Sequence, residues 1–307
     1  MTKRSIRSLF KCLALGIVLT LPLAVDAQDT LRLYAGAAPN SKPRPADKPF
    51  RAAANGLVYT VDNPCLEIYL PEKPSGTAAI VIPGGSYAVL SYQGEGIKAA
   101  KELAKNGITA FILKYRLPSD ALMVNKTIGP LQDAQQAIKL VREGAAKWGI
   151  DVNKVGVIGF SAGGHLASTL ATHYEKAFID NPNNTNLRPD FLAVVYPVIS
   201  MQPGITHAQS RDNLLGKDAS KEMIDLYSNE LQVTEKTPPT YITHAGDDKL
   251  VDVDNSIFFY EKLRHMNVPA EMHLYAKGGH GFLLRQPAEQ WASLMVTWMK
   301  SIKMLSN

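Results

Sequence analysis

A short segment around Ser161 constrains the fold of this chain more than any other feature. It reads Gly-Phe-Ser-Ala-Gly over residues 159–163, with an apolar run at 155–158 before it and a helix-like run at 164–171 after it. A strand that turns sharply into a helix strains the backbone at the apex, and only small neighbours leave room for the two elements to meet. The turn lifts the serine hydroxyl out of the sheet and sets the positive end of a helix dipole behind it. The pattern therefore predicts a strand, a tight turn and a helix, with Ser161 as a candidate nucleophile.

The N-terminus has the layout of a secretory signal peptide. Basic residues up to Lys11 precede an apolar run at 12–25, and Val-Asp-Ala at 25–27 fits a cleavage site. The apolar run is shorter than the roughly 20 residues that a membrane-spanning helix needs. We therefore predict a signal peptide over residues 1–27, a secreted or periplasmic location, and no stable membrane insertion.

The charge balance and the cysteine content narrow the class of protein. The full chain has a net charge of +5, and without the four basic residues and one acidic residue of 1–27 this falls to +2. No basic patch remains that would favour nucleic acid as a partner. Cys65 is the one cysteine after residue 27, so no internal disulfide is expected. The rest of the chain is long enough to bury a large core without such cross-links.

Strand-like and helix-like segments alternate along most of the chain. Residues 28–56 predict an extended arm, irregular over its Pro-, Ala- and Lys-rich part at 35–56, and residues 57–307 predict one domain. Strands are predicted at 58–61, 66–70, 78–82, 108–115, 155–160, 191–196, 241–244 and 271–275, and helices at 97–105, 131–148, 257–265 and 291–302. Continuous apolar strands separated by helices indicate an α/β fold, with a mostly parallel central sheet covered by helices on both faces.

One polar stretch interrupts this alternation. Residues 200–236 form a long connection between two core strands, and long loops in a compact domain are usually functional. We interpret the stretch as a short cap insertion at the mouth of the site. A tolerated surface insertion is the alternative interpretation.

A serine hydroxyl becomes a useful nucleophile when a base accepts its proton and a carboxylate orients that base. His280 has the most suitable context among the seven histidines, because it follows a strand and has glycine on both sides. His165 is close to Ser161 in sequence but lies one turn inside the following helix, so a packing role is expected. His207, inside the 200–236 stretch, is a candidate for substrate contact.

The matching carboxylate is expected in the loop after the strand at 241–244. This placement gives the chain order serine, acid, histidine. Residues 245–254 contain four aspartates, and each of them has the alternative role of capping a turn or a helix. Asp248 is the preferred acid and Asp247 the alternative, whereas Asp254 is expected to cap the helix that follows.

A reaction at Ser161 also needs backbone N–H groups to stabilise an oxyanion. The amide of Ala162, directly after the serine, is one candidate. The other is expected in the Pro-Gly-Gly-Ser-Tyr loop at 83–87, from Gly85 or Ser86, since glycine lets the main chain approach a developing negative charge. An ordinary tight turn is the alternative interpretation of that loop.

Further motifs carry a resemblance to a known superfamily. They read Lys-Tyr-Arg-Leu at 114–117, Asp-Ala-Gln-Gln-Ala at 133–137, Trp-Gly-Ile-Asp at 148–151, Ser-Arg-Asp-Asn-Leu-Leu-Gly at 210–216 and Gly-His-Gly-Phe at 279–282. Together with the Ser161 turn, they make the chain resemble the α/β-hydrolase superfamily, and within it the carbohydrate acetyl esterase and acetyl xylan esterase-like group. The resemblance extends from about residue 57 to the C-terminus.

This resemblance implies an α/β-hydrolase fold and a serine esterase that uses neither a metal nor an organic cofactor. It implies Ser161 as nucleophile, His280 as base and Asp248 as acid, because the Asp-x-x-Val pattern of the group fits Asp248 rather than Asp247. The chain departs from related hydrolases with a His-Gly-Gly-Gly loop, which have a histidine at the position of Pro83 and a glycine at that of Ser86. The second oxyanion donor therefore stays open between Gly85 and Ser86.

The expected function is hydrolysis of small acyl esters, above all acetyl esters of carbohydrates. The alternatives are a feruloyl esterase or broad carboxylesterase, and a catalytically inactive hydrolase fold that serves as a binding module. Tyr87, His207 and Arg211 are candidates for shaping the acyl or sugar pocket, from their positions in loops. Arg116 and Asp133 are expected to form a buried structural pair.

Overall fold

The computed structural model describes residues 29–306, and it is built around one eight-stranded sheet. The strands are β1 (Asp29–Arg32), β2 (Cys65–Tyr69), β3 (Ala78–Ile82), β4 (Thr109–Lys114), β5 (Val155–Phe160), β6 (Leu192–Val195), β7 (Thr240–Ala245) and β8 (Ala270–Tyr275). They lie in the order β1-β2-β4-β3-β5-β6-β7-β8. β2 runs antiparallel to both of its neighbours, and the other pairs are parallel. The predicted α/β fold with a mostly parallel sheet is confirmed.

Helices cover both faces of this sheet. They are α1 (Lys98–Lys105), α2 (Gly129–Glu143), α3 (Ala162–His173), α4 (Ala208–Leu215), α5 (Lys221–Tyr227), α6 (Asp254–His265) and α7 (Ala288–Ser301). The central strand β3 is buried on both sides: Ile80 and Ile82 pack in the core shared with α2, α3 and α6, whereas Val81 packs in the core shared with α1 and α7. Burial on both faces is the physical reason that this strand is a continuous apolar run.

Three local predictions differ from the structure. Residues 58–61 form no strand, and only Val58 pairs there, with Leu90. The helix predicted over 131–148 ends at Glu143, because Gly144 interrupts it and a short 3₁₀ turn follows. The polar edge strand β1 was not predicted, since its side chains are largely exposed and it has no apolar pattern.

The N-terminal arm is held against the domain by a buried ion pair. The Arg116 guanidinium and the Asp133 carboxylate are almost wholly buried and lie 2.7 Å apart. Arg116 Nη1 also donates to the carbonyl oxygen of Pro39 and to Ser41 Oγ, and the Tyr34 hydroxyl donates to Asp133. The expected buried pair is confirmed, and it joins the arm to β4 and α2.

Residues 200–236 contain α4, α5 and a short 3₁₀ turn at Asn229–Gln232. The end of the stretch packs into the domain, because the Asn229 side chain is buried and donates to Ser168 Oγ and to the carbonyl oxygen of His165 on α3. Within residues 29–306, none of the helices combines the length and the apolar character needed to cross a membrane. The predicted signal peptide at 1–27 lies outside the described residues.

Candidate active site

Ser161 lies at the apex of a strained turn between β5 and α3. Its backbone has φ 50° and ψ −122°, a conformation that costs energy for any residue with a side chain. The flanking glycines leave the necessary space: a Cβ atom at Gly163 would lie 2.1 Å from the carbonyl oxygen of Ile82, and one at Gly159 would lie 2.3 Å from that of Gly163. The sequence pattern thus has a steric cause, and the turn projects Ser161 Oγ beyond the carboxyl ends of the strands.

The structure brings Ser161, His280 and Asp248 together in one hydrogen-bonded chain. His280 Nε2 lies 2.9 Å from Ser161 Oγ, and His280 Nδ1 lies 2.7 Å from Asp248 Oδ2. The Asp248 side chain is fully buried, while the His280 ring keeps 19 % exposure. With Nδ1–H donating to the carboxylate, Nε2 is free to accept the serine proton. The arrangement is therefore suited to activating a serine hydroxyl.

Asp248 is held in its ionised form by several donors. Its Oδ1 accepts the amides of Leu250 and Val251 at 2.9 and 3.0 Å, and its Oδ2 also accepts His244 Nε2 at 3.1 Å. Burial raises the pKa of Asp248, but the hydrogen bonds from His244 and His280 outweigh it, and the net pKa lies well below its usual value. Reasoning from the sequence missed His244, because a histidine inside an apolar strand gives no sign of contacting a residue four positions later.

The neighbouring aspartates have structural roles. Asp247 Oδ1 accepts the amides of Gly278 and Gly279 at 2.8 and 2.7 Å, so it anchors the loop that carries His280 instead of contacting the imidazole. The expectation that Asp254 caps α6 is wrong, because the helix begins at Asp254 itself and Asp252 Oδ1 accepts the Asp254 amide at 3.0 Å.

The loop at 83–87 has free amides next to the serine. Gly84 N–H donates to a buried carboxylate, Glu95 Oε2, at 2.7 Å. In contrast, the amides of Gly85, Ser86 and Ala162 have no acceptor within residues 29–306. Ser86 adopts a φ of 57°, so its backbone is strained as well. The three amides that the sequence indicated are therefore available to a negatively charged oxygen.

Two of the three residues expected to contact substrate have partners within the protein, and their contact with substrate stays a prediction. Tyr87 is 2 % exposed and its hydroxyl lies 2.8 Å from Nδ1 of the buried His165. His165 Nε2 in turn donates to the carbonyl oxygen of Tyr227 at 2.8 Å, which gives His165 the expected packing role. The Arg211 guanidinium lies 3.5 Å from Asp212 Oδ1.

His207 lies close enough to His280 to be influenced by it. Its Nδ1 lies 2.8 Å from Ser210 Oγ, at the start of α4. Burial lowers the pKa of His207, and the proximity of His280 lowers it further. His207 is therefore a neutral ring at the edge of the site. Within residues 29–306, no group of three or more His, Cys, Asp or Glu side chains is arranged to hold a metal ion.

The sheet order, the strained serine turn and the helices on both faces are those of the α/β-hydrolase superfamily, which confirms the predicted fold. The chain belongs to the BD-FAE family, whose family model matches residues 66–263. The model of the dienelactone hydrolase family matches residues 224–307.

Two curated proteins show sequence similarity to most of the chain. An acetylxylan esterase from Xylanibacter ruminicola is 39 % identical over 243 residues, which cover 76 % of this chain and 47 % of that protein. Endo-1,4-beta-xylanase B from Butyrivibrio fibrisolvens is 37 % identical over 206 residues, which cover 66 % of this chain and 32 % of that protein. The chain therefore spans half or less of the length of each of these relatives.

Among solved structures, the acetyl ester-xyloside bifunctional hydrolase from Caldicellulosiruptor lactoaceticus is similar over its whole length. The two chains are 33 % identical, with a TM-score of 0.74, and the alignment covers 93 % of this chain and 100 % of the other. The two proteins are similar both in sequence and in fold, and this similarity supports the assignment to the superfamily that the motifs indicate.

Proposed function

We propose that this protein is a serine esterase that removes small acyl groups, above all acetyl, from the hydroxyl groups of carbohydrates. The observation that carries the proposal is the chain of two short hydrogen bonds from Ser161 through His280 to the buried Asp248. The names of the similar proteins support the substrate class, since they include an acetylxylan esterase and an acetyl ester-xyloside hydrolase.

In the first half of the proposed reaction, Ser161 Oγ attacks the ester carbonyl carbon while His280 Nε2 accepts the hydroxyl proton. The buried Asp248 carboxylate keeps the ring oriented and stabilises the imidazolium that forms. The oxyanion of the tetrahedral intermediate is stabilised by the Ala162 amide and by the amide of Gly85 or Ser86. When the bond to the sugar oxygen breaks, His280 donates its proton to that oxygen, and the acyl group stays on Ser161.

In the second half, water replaces the sugar. His280 accepts a proton from a water molecule, and the resulting hydroxide attacks the acyl carbon and forms a second tetrahedral intermediate. The bond to Ser161 Oγ then breaks as His280 returns the proton to it. The carboxylic acid leaves, which for an acetyl substrate is acetic acid, and the enzyme is restored.

Hydrolysis of a series of 4-nitrophenyl esters tests this proposal. The purified protein and Ser161→Ala are compared on acetate, butyrate, octanoate and ferulate, followed by acetylated xylan. We expect acetate to be preferred, acetate to be released from the xylan, and both activities to be lost in the variant. A preference for ferulate or long chains would refute the acetyl specificity, and activity retained by Ser161→Ala would refute the mechanism.

We also propose that the protein acts outside the cytoplasm. The basic start, the short apolar run and the small residues at 25–27 support this location. The full chain, expressed in a bacterium with a secretion pathway, should be recovered from the periplasm or the medium with an N-terminus at Gln28. An uncleaved cytoplasmic product would contradict the proposal.

A further inference from the structure

A second buried carboxylate lies beside the site and has no part in the reaction as proposed above. Glu95 is on a single turn of π-helix, Tyr92–Ile97, just before α1, and π-helical turns often occur at functional sites. It is 4 % exposed. A carboxylate is costly to bury without hydrogen-bond donors, and both oxygens of Glu95 have one.

The first donor belongs to the loop that precedes the free amides. Glu95 Oε2 accepts the Gly84 amide at 2.7 Å. The packing here is tight, because a Cβ atom at Gly84 would lie 2.7 Å from Ser161 Cβ and 3.0 Å from Glu95 Oε2. Glu95 therefore fixes the main chain one residue before Gly85, directly against the serine.

The second donor belongs to a residue that contacts the base. The Tyr196 hydroxyl donates to Glu95 Oε1 at 3.1 Å. The Tyr196 ring packs edge-on against the His280 ring, with 4.8 Å between ring centroids. Through Tyr196, Glu95 thus reaches the side of the imidazole that Asp248 does not occupy.

The charges around His280 define what Glu95 contributes. Asp248 contacts its Nδ1, Glu95 lies behind Tyr196, His207 lies nearby just before α4, and Arg285 lies near its carbonyl oxygen. Burial raises the pKa of Glu95 above its usual value, and the hydrogen bonds from Gly84 and Tyr196 and the nearby His280 offset only part of this rise. Two donors directed at its two oxygens are the pattern expected for an ionised carboxylate.

We propose that Glu95 is a positioning residue for the esterase reaction, which holds the oxyanion loop through Gly84 and favours the protonated form of His280 by its negative charge. The inference rests on the proposed function of Ser161, His280 and Asp248. Glu95 would be a second carboxylate, besides Asp248, that stabilises the positively charged ring of His280. Its side chain would also connect the base to the loop that binds the oxyanion.

The variant Glu95→Gln removes the negative charge of the side chain and keeps its shape. A glutamine has nearly the same size, can accept the Gly84 amide through Oε1, and can donate to the Tyr196 oxygen through Nε2. Because a negative charge is lost near the imidazole, the neutral base persists to lower pH. We expect the acidic limb of the kcat/KM profile for 4-nitrophenyl acetate to move down by about 0.5 to 1 pH unit, with kcat about tenfold lower and KM within about twofold.

Two further variants make the test specific. Tyr196→Phe removes one hydrogen bond but keeps the Glu95 charge, so its acidic limb should stay within about 0.2 pH unit of the wild type. Glu102→Gln is the matched control, because Glu102 is also buried but pairs with Lys105 on α1, and we expect it to match the wild type in both parameters. The melting temperature of each variant is compared with that of the wild type, so that a variant that has lost its fold is recognised.

The proposal would be overturned if Glu95→Gln had the same acidic limb and the same kcat as the wild type. It would also be overturned if the acidic limb of Glu102→Gln shifted as far as that of Glu95→Gln. If Glu95→Gln does not fold, a shifted acidic limb in Tyr196→Phe would overturn it instead. The comparison of wild type with Ser161→Ala in the same assay tests the proposed function separately. If Glu95→Gln behaves as the wild type while ester hydrolysis still depends on Ser161, the inference about Glu95 fails and the proposed function stands. If hydrolysis does not depend on Ser161, the proposed function itself fails.

Discussion

The buried histidine beside the nucleophile should make the fold sensitive to acid. His165 is fully buried on α3, with Nε2–H donating to the Tyr227 carbonyl oxygen and Nδ1 accepting the Tyr87 hydroxyl proton. Burial lowers the pKa of His165 from 6.5 to about 4, because a charged ring would lose its hydration. Folding therefore requires the neutral ring.

The lowered pKa of His165 sets the size and the sign of the effect of pH on the free energy of unfolding. Between pH 6.5 and pH 4 the unfolded chain binds a proton at His165 that the folded chain does not, so the free energy of unfolding falls as the pH falls. A pKa unit corresponds to about 1.4 kcal/mol, so lowering the pH from 7.5 to 4.5 should cost about 2 to 3 kcal/mol at this residue. Most of the loss should occur between pH 6.5 and pH 4.5.

Urea denaturation at pH 7.5 and pH 4.5 measures this loss. His165→Gln removes the titrating ring but keeps an amide that can donate to Tyr227 and accept from Tyr87. We expect the wild type to lose about 2 to 3 kcal/mol more than the variant over this range. His265→Gln, at an exposed position on α6, is the matched control and should behave as the wild type does. Equal losses in the wild type and His165→Gln would refute the reasoning.

Two further predictions concern residues that support the site and the arm. Asp247→Ala removes the acceptor of the Gly278 and Gly279 amides, so the His280 loop should loosen and kcat should fall at least about tenfold, with a near-native melting temperature. An unchanged kcat in ester hydrolysis would contradict this role. Arg116→Met leaves the Asp133 carboxylate buried without its partner, and urea denaturation should show a loss of about 3 to 5 kcal/mol. A loss below about 1 kcal/mol would contradict the structural importance of the pair.

The parts of the molecule that the sequence predicts well are those with local causes. The turn at Ser161 is visible because steric contacts at Gly159 and Gly163 allow little but glycine. Strands such as β3 and β5 are visible because burial on both faces makes them continuously apolar. His280 stood out among the histidines because of the glycines beside it, and the structure places its ring against Ser161.

The parts that escaped prediction depend on contacts between distant segments. Glu95 reads as an ordinary surface glutamate until the fold brings Tyr196, about a hundred positions later, against it. The Asp-x-x-Val pattern favoured Asp248 over Asp247, but the physical reason is visible only in the fold, where Asp248 contacts the imidazole and Asp247 accepts the glycine amides of the next loop. The contact between the Tyr87 hydroxyl and His165, which lies 78 positions later, has no local signal in the sequence either.

The most direct test of the central claim is covalent labelling with a fluorophosphonate, followed by intact mass and peptide mapping. A fluorophosphonate is attacked by an activated serine, and the adduct mimics the tetrahedral intermediate of ester hydrolysis. We predict a single adduct on Ser161, no adduct in Ser161→Ala, and labelling slowed at least about a hundredfold in His280→Ala. An adduct at another residue, or equal labelling of Ser161→Ala, would contradict the assignment of Ser161 as the nucleophile.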